Sequence, residues 1–247
     1  MTSNEDNDAV SAVGGSDQHQ DIAQHEKIKK ALALDYDAST VSSYYQDWAA
    51  SYDRDVAKEQ YTAPEFIAHY FQNLTNHPQF DPAEGEVDFI GQALNIIDAG
   101  CGTGLVGQAL YGLGYRGVDG FDLSHSMVEV AGALGVYRQL TGGCDLIQGI
   151  PEFSNHQYDA CLCCGVFTSG HVTPQVLPEL LRITRPGGMV LVSTRIGYSN
   201  DMDFAGYVES LEQQGQMKLV EVKEGPYTAE EGAYFWAFKV SPPSGAV

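Results

Sequence analysis

The chain has 247 residues, with 13 Lys+Arg against 33 Asp+Glu, a formal net charge of −20 and a hydrophobic fraction of 43%. That length and apolar content suit one α/β domain with extra elements, and so acidic a chain lacks the basic face that nucleic-acid binding requires. No apolar run approaches the roughly 20 residues that span a bilayer and the polar N-terminus has no signal-peptide core, so a soluble, cytoplasmic monomer or homodimer without nucleic-acid or membrane partners is expected.

Residues 1–31, rich in Ser, Asn, Asp and Gln, are expected to form a disordered acidic and polar tail. From Ser39 to Val56 the pattern is helical, and Tyr44, Trp48 and Tyr52 recur every four residues as one aromatic stripe. Such a stripe serves either as core packing or as a lid over a cleft. A second helix is predicted from Thr62 as N-cap, with Pro64 in its first turn and Phe66, Ile67, Tyr70, Phe71 and Leu74 on one face. Residues 76–94, with Pro78, Pro82 and Gly85, read as a loop, which closes a lid-and-linker region over 32–94.

Asn95-Ile96-Ile97-Asp98-Ala99-Gly100-Cys101-Gly102-Thr103-Gly104 is the organising stretch. A short buried strand ends in an acid and then in glycines at alternate positions, with a helix pattern from Leu105 to Leu113. Strand, glycine turn and helix open a nucleotide-binding α/β unit, and the helix N-terminus beyond offers unpaired N–H groups. Gly102 to Gly107 also matches G-x-G-x-x-G, but that turn would start several residues after the strand, where the dinucleotide fingerprint needs it at once.

Strand two is predicted to end in Asp122, whose carboxylate, acceptor-only, has room for both hydroxyls of an adenosine ribose. An NAD site uses an acid in the same way. Ser124 is a candidate N-cap and Met127 falls in the following first turn. The segment Thr141 to Leu146 occupies the third strand tip, and Tyr158 to Phe167 the fourth strand and its exit. The five cysteines include Cys161, Cys163 and Cys164 in that strand. Alternation puts Cys161 and Cys163 on one face and Cys164 on the other, so small core residues rather than a metal site are expected. His171 follows in T-S-G-H-V. Its imidazole can act as a general base near neutral pH, contact a ligand, or serve only the loop. Pro174 to Thr184 reads as a helix, then a P-G-G turn leads into strand five, with Arg195 and Tyr198 beyond it. Arg195 faces either the cleft or a surface acid. Asp203 to Gln214 is an amphipathic helix, 219–222 and 234–240 are two closing antiparallel strands, and 241–247 a loose end.

The string D-A-G-C-G-T-G at 98–104 resembles motif I of the class I S-adenosylmethionine (SAM) methyltransferases. Y-Y-Q-D-W-A-A-S-Y-D-R-D-V at 44–56 resembles the segment ahead of the core in small-molecule members, closest to the methyltransferase-like proteins named for the Williams–Beuren region. The Y-D-A-x-x-x-x-G-V pattern at 158–166 and the helix–PGG–strand string at 177–195 are similar to the same family. N-P-P-Y or D-P-P-Y strings of base N-methyltransferases are missing from the sequence, as are the paired glutamates of arginine methyltransferases.

The resemblance implies a doubly wound, seven-stranded Rossmann-like sheet over 95–240 with an N-terminal helical lid. It implies SAM as cofactor and S-adenosylhomocysteine (SAH) as product, and it implies no metal. Asp98 with Gly100, Cys101, Gly102, Thr103 and Gly104 would hold the methionine end, and Asp122 the ribose. Leu123, Met127, Asp145 and Leu146 would hold the adenine, while Tyr52 and Cys164 would also border the cofactor. Tyr44, Trp48, Phe167, His171, Arg195 and Tyr198 are the candidates for the acceptor pocket, with His171 the candidate catalytic base. The expected reaction is methyl transfer to a small, partly apolar acceptor. An NAD(P)-dependent reductase, or a SAM- or SAH-binding protein without transfer, is the alternative.

Overall fold

The computed structural model describes residues 25–76 and 94–243. Its strands are β1 (Ile96–Ala99), β2 (Val118–Asp122), β3 (Gln139–Gly142), β4 (Tyr158–Phe167), β5 (Thr184–Arg195), β6 (Met217–Pro226) and β7 (Gly232–Val240). They form one seven-stranded sheet in the order β3-β2-β1-β4-β5-β7-β6. β1 to β5 pair in parallel, and β7 runs antiparallel to both β5 and β6. Every residue of β1 is buried, as a strand covered on both faces must be.

The helices are α1 (residues 25–32), α2 (Ala38–Trp48), α3 (Tyr52–Lys58), α4 (Ala63–Thr75), α5 (Leu105–Gly112) and α6 (His125–Ala133) before β3. After β4 come α7 (Leu177–Ile183), α8 (Ile196–Asp201) and α9 (Phe204–Gln213). Ile67 and Phe71 of α4 and Val106 and Leu110 of α5 share a buried cluster with one sheet face. Leu177 and Leu180 of α7 and Val208 and Leu211 of α9 share a second with the other. The sheet is thus doubly wound, with the predicted strand-and-helix order.

Several local readings shift. The helix expected over 39–56 breaks at 49–51 into α2 and α3, yet the stripe survives the break, with Trp48 and Tyr52 ring centroids 4.8 Å apart. Thr62 stands at the N-cap of α4, with Pro64 in the first turn, but its side chain makes no capping bond. Ser124 does cap α6, accepting from Met127 N–H at 3.4 Å. The P-G-G stretch is an interruption inside β5, with Gly187 at φ +78° and the register with β4 shifting beside it.

The disordered tail expected up to residue 31 is contradicted over 25–31, which are helical, while 1–24 lie outside the described residues. The reason is tertiary. Ala31 is buried and Ile28 packs with it against Trp48 and Val56. Lys27 Nζ reaches Asp55 at 2.9 Å and Ser51 at 3.1 Å. Asp55 Oδ2 also accepts from Trp48 Nε1 and Ser51 Oγ, tying α1, α2 and α3 into one cap. The linker over 76–94 lies almost wholly outside the described residues, as does the chain end after residue 243.

Candidate active site

The chain leaves β1 to build β2 and β3 on one side, then returns to place β4 on the other. Ligands of open parallel sheets sit at such a switch, beyond the carboxyl ends of the strands. A cleft of about 840 Å³, counting the part open to solvent, lies there.

Gly100 and Gly102 of the glycine loop line it, whereas Asp98 and Gly104 do not. Gly100, Gly102 and Gly104 have φ of +72°, +53° and +99°, a region that other residues rarely enter. A Cβ on Gly100 would lie 2.2 Å from Val166 Cγ2, so this position also admits the tip of β4. A Cβ on Gly102 would meet nothing within 4 Å, and the residue lines the cleft, so a side chain there would take up ligand space. Asp122 pins the loop, accepting from Gly102 N–H with one oxygen and from Ser124 N–H with the other, both at 2.8 Å. Each oxygen keeps a further lone pair for an incoming hydroxyl.

Asp98 lies beneath the loop and is 1% exposed. Its Oδ2 accepts from the Tyr137 hydroxyl at 2.6 Å, and its Oδ1 is buried with no partner. Burial, reinforced by the charge of Asp122 and opposed by the Tyr137 bond, pushes the carboxyl up to about 7. An orphaned carboxylate oxygen of this kind fits a cationic ligand group.

Tyr137 was not legible as a site residue. Its hydroxyl also accepts from Gly107 N–H at 3.2 Å. A Cβ on Gly107 would come within 2.2 Å of the ring, so this glycine, the last of the misleading G-x-G-x-x-G, serves a tyrosine and not a pyrophosphate. Gly107→Ala should displace Tyr137 from Asp98 and lower stability by about 1–3 kcal/mol as an overpacked core position, read as a fall in Tm.

The remaining expected cofactor residues divide. Tyr52, Leu123, Met127, Asp145, Leu146 and Cys164 line the cleft. Asp145 Oδ1 accepts from Ile147 N–H at 2.8 Å, which leaves its other oxygen for a ligand. Cys101 and Thr103 are buried behind the loop, and the Thr103 hydroxyl donates to Asp53 of α3, a bond that fastens the cap to the loop. All five cysteines are buried and free, with Cys161 and Cys163 in one core cluster and Cys164 in the other. Among the described residues no group of three His, Cys, Asp or Glu is placed to hold a metal.

The cap closes the cleft with Ala38, Val41, Ser42 and Tyr45 of α2. Tyr45, absent from the expected set, stands over His171: its hydroxyl lies 2.8 Å from Nε2, while Nδ1 lies 2.9 Å from the Ser169 carbonyl. A carbonyl can only accept, so Nδ1 carries the proton, and the Tyr45 O–H donates to the Nε2 lone pair. Burial, with the Arg195 charge adding to it, lowers the His171 pKa. Behind this pair a second chamber opens, sharing Tyr45, Tyr52, Tyr61, Gly165 and His171 with the first. Trp48 and Arg195 line it, and α1 roofs it with Ile28, Ala31 and Leu32.

Three expected acceptor residues lie elsewhere. Phe167 shares the strand parity of Cys161 and Cys163, so it turns into the core, 1% exposed, with its ring 5.5 Å from Phe204. Tyr198 is 2% exposed and its hydroxyl donates to the Val172 carbonyl, which makes it a strut under the loop carrying His171. Tyr44 faces away with Lys27 and Lys30, its hydroxyl bonded to the Lys27 carbonyl, because one residue of helix rotation gives the inner position to Tyr45.

The family model described as a methyltransferase domain matches residues 97–192, from β1 into β5. Methyltransferase-like protein 27 of Homo sapiens is 35% identical over 169 residues, which are 68% of this chain and 62% of that protein. The chain therefore spans less than two thirds of that relative's length. Residues 97–192 are a methyltransferase domain, in the fold of the class I SAM-dependent family. The fold agrees with two solved structures. One is magnesium protoporphyrin IX methyltransferase from Synechocystis with bound SAH (TM-score 0.56, 17% identity, 83% of this chain, 100% of that one). The other is a chain of the complex between the Haloferax volcanii Trm112 methyltransferase activator and its methyltransferase (TM-score 0.59, 16% identity, 80% and 98%). SAM is the cofactor of this family, and the nicotinamide reading of the glycine loop falls with that assignment. Among the described residues no helix is long and apolar enough to cross a membrane.

We predict that the buried carboxyl of Asp98, if it holds the methionine end, gives SAM binding a pH dependence. With a free-protein pKa of about 7, Asp98 binds a proton below neutrality, and a cationic ligand group must displace it. Affinity should be full above pH 7 and fall by up to about tenfold per unit below it. Titration calorimetry across pH 6–8 should show this step, and Asp98→Asn should flatten it. The raised pKa acts in the opposite sense on the free fold, whose stability from this group is largest at low pH and is lost as pH rises from the ordinary 3.8 towards 7.

Proposed function

We propose that this protein transfers the methyl group of SAM to a small-molecule acceptor held in the second chamber. The observation that carries the reading is the junction of the two chambers. The cleft assigned to SAM and a second, tyrosine-lined space lie side by side and share Tyr45, Tyr52, Tyr61, Gly165 and His171. Bound SAM supplies a methyl made electrophilic by its sulfonium.

The residues of this chain do the rest. Asp98 and Gly100 to Gly104 would hold the methionine end, with Asp122 on the ribose and Met127, Leu123, Asp145 and Leu146 around the adenine. The cap excludes water, and alignment of two bound partners can alone lower a barrier by about 7–11 kcal/mol. The Tyr45–His171 pair suits an acceptor that arrives with its proton: the acceptor O–H gives its proton to Tyr45 Oη as the Tyr45 proton passes to His171 Nε2. The imidazolium that results donates from Nδ1 to Ser169. A hydroxyl acceptor matches this pair best.

The test is calorimetric titration with SAM, SAH and NADPH, followed by SAH-release assays over a panel of hydroxylated small molecules, RNA and histone-like peptides. Micromolar SAM and SAH binding with turnover of a small molecule supports the reading. Turnover with RNA or peptides alone would refute the small-molecule acceptor, and binding without any turnover would favour a SAM sensor.

A further inference from the structure

The second chamber holds a buried hydroxyl that the protein leaves unsatisfied and a guanidinium that it engages along one edge. Thr168 is 4% exposed, lines the chamber, and its Oγ1 is buried with no hydrogen-bond partner. Arg195 enters from the end of β5 with its side chain only 15% exposed. Its Nε and Nη2 both bond to one oxygen of Glu231, and its guanidinium lies 5.1 Å from the centre of the Tyr227 ring. Its Nη1 makes no hydrogen bond among the described residues. Buried polar groups are nearly always paired, so the orphaned Thr168 hydroxyl, in one chamber with a guanidinium that Glu231 engages along one edge, points to a ligand that accepts from both.

We infer that the acceptor is a small planar carboxylate, its carboxylate taken by Arg195 Nη1 and the Thr168 hydroxyl. A carboxylate is acceptor-only and flat, which suits a guanidinium whose other edge is already fixed. The walls agree, because Tyr61 and Tyr227 meet at 5.0 Å and, with Trp48 and Tyr52, give a flat ring or conjugated chain an apolar slot. Arg195 also lies close enough to the Tyr45–His171 pair to bias the ionisation of both. The carboxylate end and the reacting hydroxyl therefore belong to one compact molecule. On a chain of net charge −20 an anion gains nothing from long-range attraction, so recognition must rest on Arg195 itself. Arg195, paired with Glu231, is the cation of the chamber's lining, which also includes Glu59.

The inference rests on the methyltransferase reading, and its test separates the two. Protein saturated with SAH is titrated with 4-hydroxybenzoate and 4-hydroxycinnamate, their neutral primary amides, and 4-hydroxybenzylamine. The acids should bind at least about tenfold tighter than the amides, one interaction of roughly 1.4 kcal/mol or more. Arg195→Gln should erase the preference and leave SAH affinity unchanged. Thr168→Val, which keeps the side-chain shape, should weaken acid binding severalfold and guards against a misfolded Arg195 variant. Equal or tighter binding of an amide or the amine, no detectable acid binding up to millimolar concentration, or a preference that survives Arg195→Gln would overturn the inference. If SAH itself does not bind, the methyltransferase reading fails first and this inference falls with it.

Discussion

His171→Ala should lower kcat by about 10²–10⁴-fold, the range of a positioned general base, while SAM and SAH bind nearly as before. The reason lies in which bonds are lost. His171 touches Tyr45 and the Ser169 carbonyl, whereas the loop and the acids at the tips of β1 and β2 are held by other residues. Tyr45→Phe should reproduce most of the loss, because it keeps the ring that stacks on Trp48 at 5.9 Å but removes the relaying hydroxyl. The pH profile gives an independent readout. Burial and Arg195 lower the His171 pKa from its ordinary 6.5, so its base form persists at neutral pH and is lost only as pH falls through a value below 6.5. At saturating SAM, where the Asp98 step is suppressed, the acid limb of kcat should lie below that value and disappear in His171→Ala. A variant with unchanged kcat would show that the acceptor arrives already ionised and would leave His171 a structural role.

Asp122→Ala should raise the SAM Kd by about 100-fold or more and weaken SAH in parallel. The carboxylate anchors Gly102 and Ser124 through charge-assisted bonds. Hydrogen bonds to charged groups contribute roughly 1.5–3 kcal/mol each, so losing the ribose contacts and slackening the loop together exceeds the roughly 2.7 kcal/mol of a hundredfold change. The effect should be local. Asp122 is at the open end of β2, and Ala99–Phe121 pairing below it is unaffected, so circular dichroism should be unchanged. Calorimetry of the variant beside the wild type decides the matter, and retention of micromolar SAM affinity would remove Asp122 from the cofactor site.

The sequence by itself determined which residues of the β1 and β2 tips border the first cleft. Gly100, Gly102, Asp122 and Met127 were legible as its lining because each belongs to a strand–turn–helix unit, where consecutive backbone positions fix where a side chain points. The same locality made the succession of strands along the core and the opposite faces of Cys163 and Cys164 readable. What only the tertiary structure decided is the acceptor end. Periodicity says that α2 has an aromatic face, but the rotation of the helix on its neighbours decides that Tyr45 and not Tyr44 looks inward. Phe167 and Tyr198 had the right position in sequence, yet strand parity and the face that α8 buries turn both into the core. Arg195, Tyr61, Thr168 and the β6–β7 turn that carries Tyr227 and Glu231 are four separate segments, and nothing local to any of them announces the others. Their meeting depends on β7 returning beside β5 and on α1 folding over the cap. Such contacts are decided by which apolar surfaces find each other in the folded chain, and that choice is made by packing across the whole molecule.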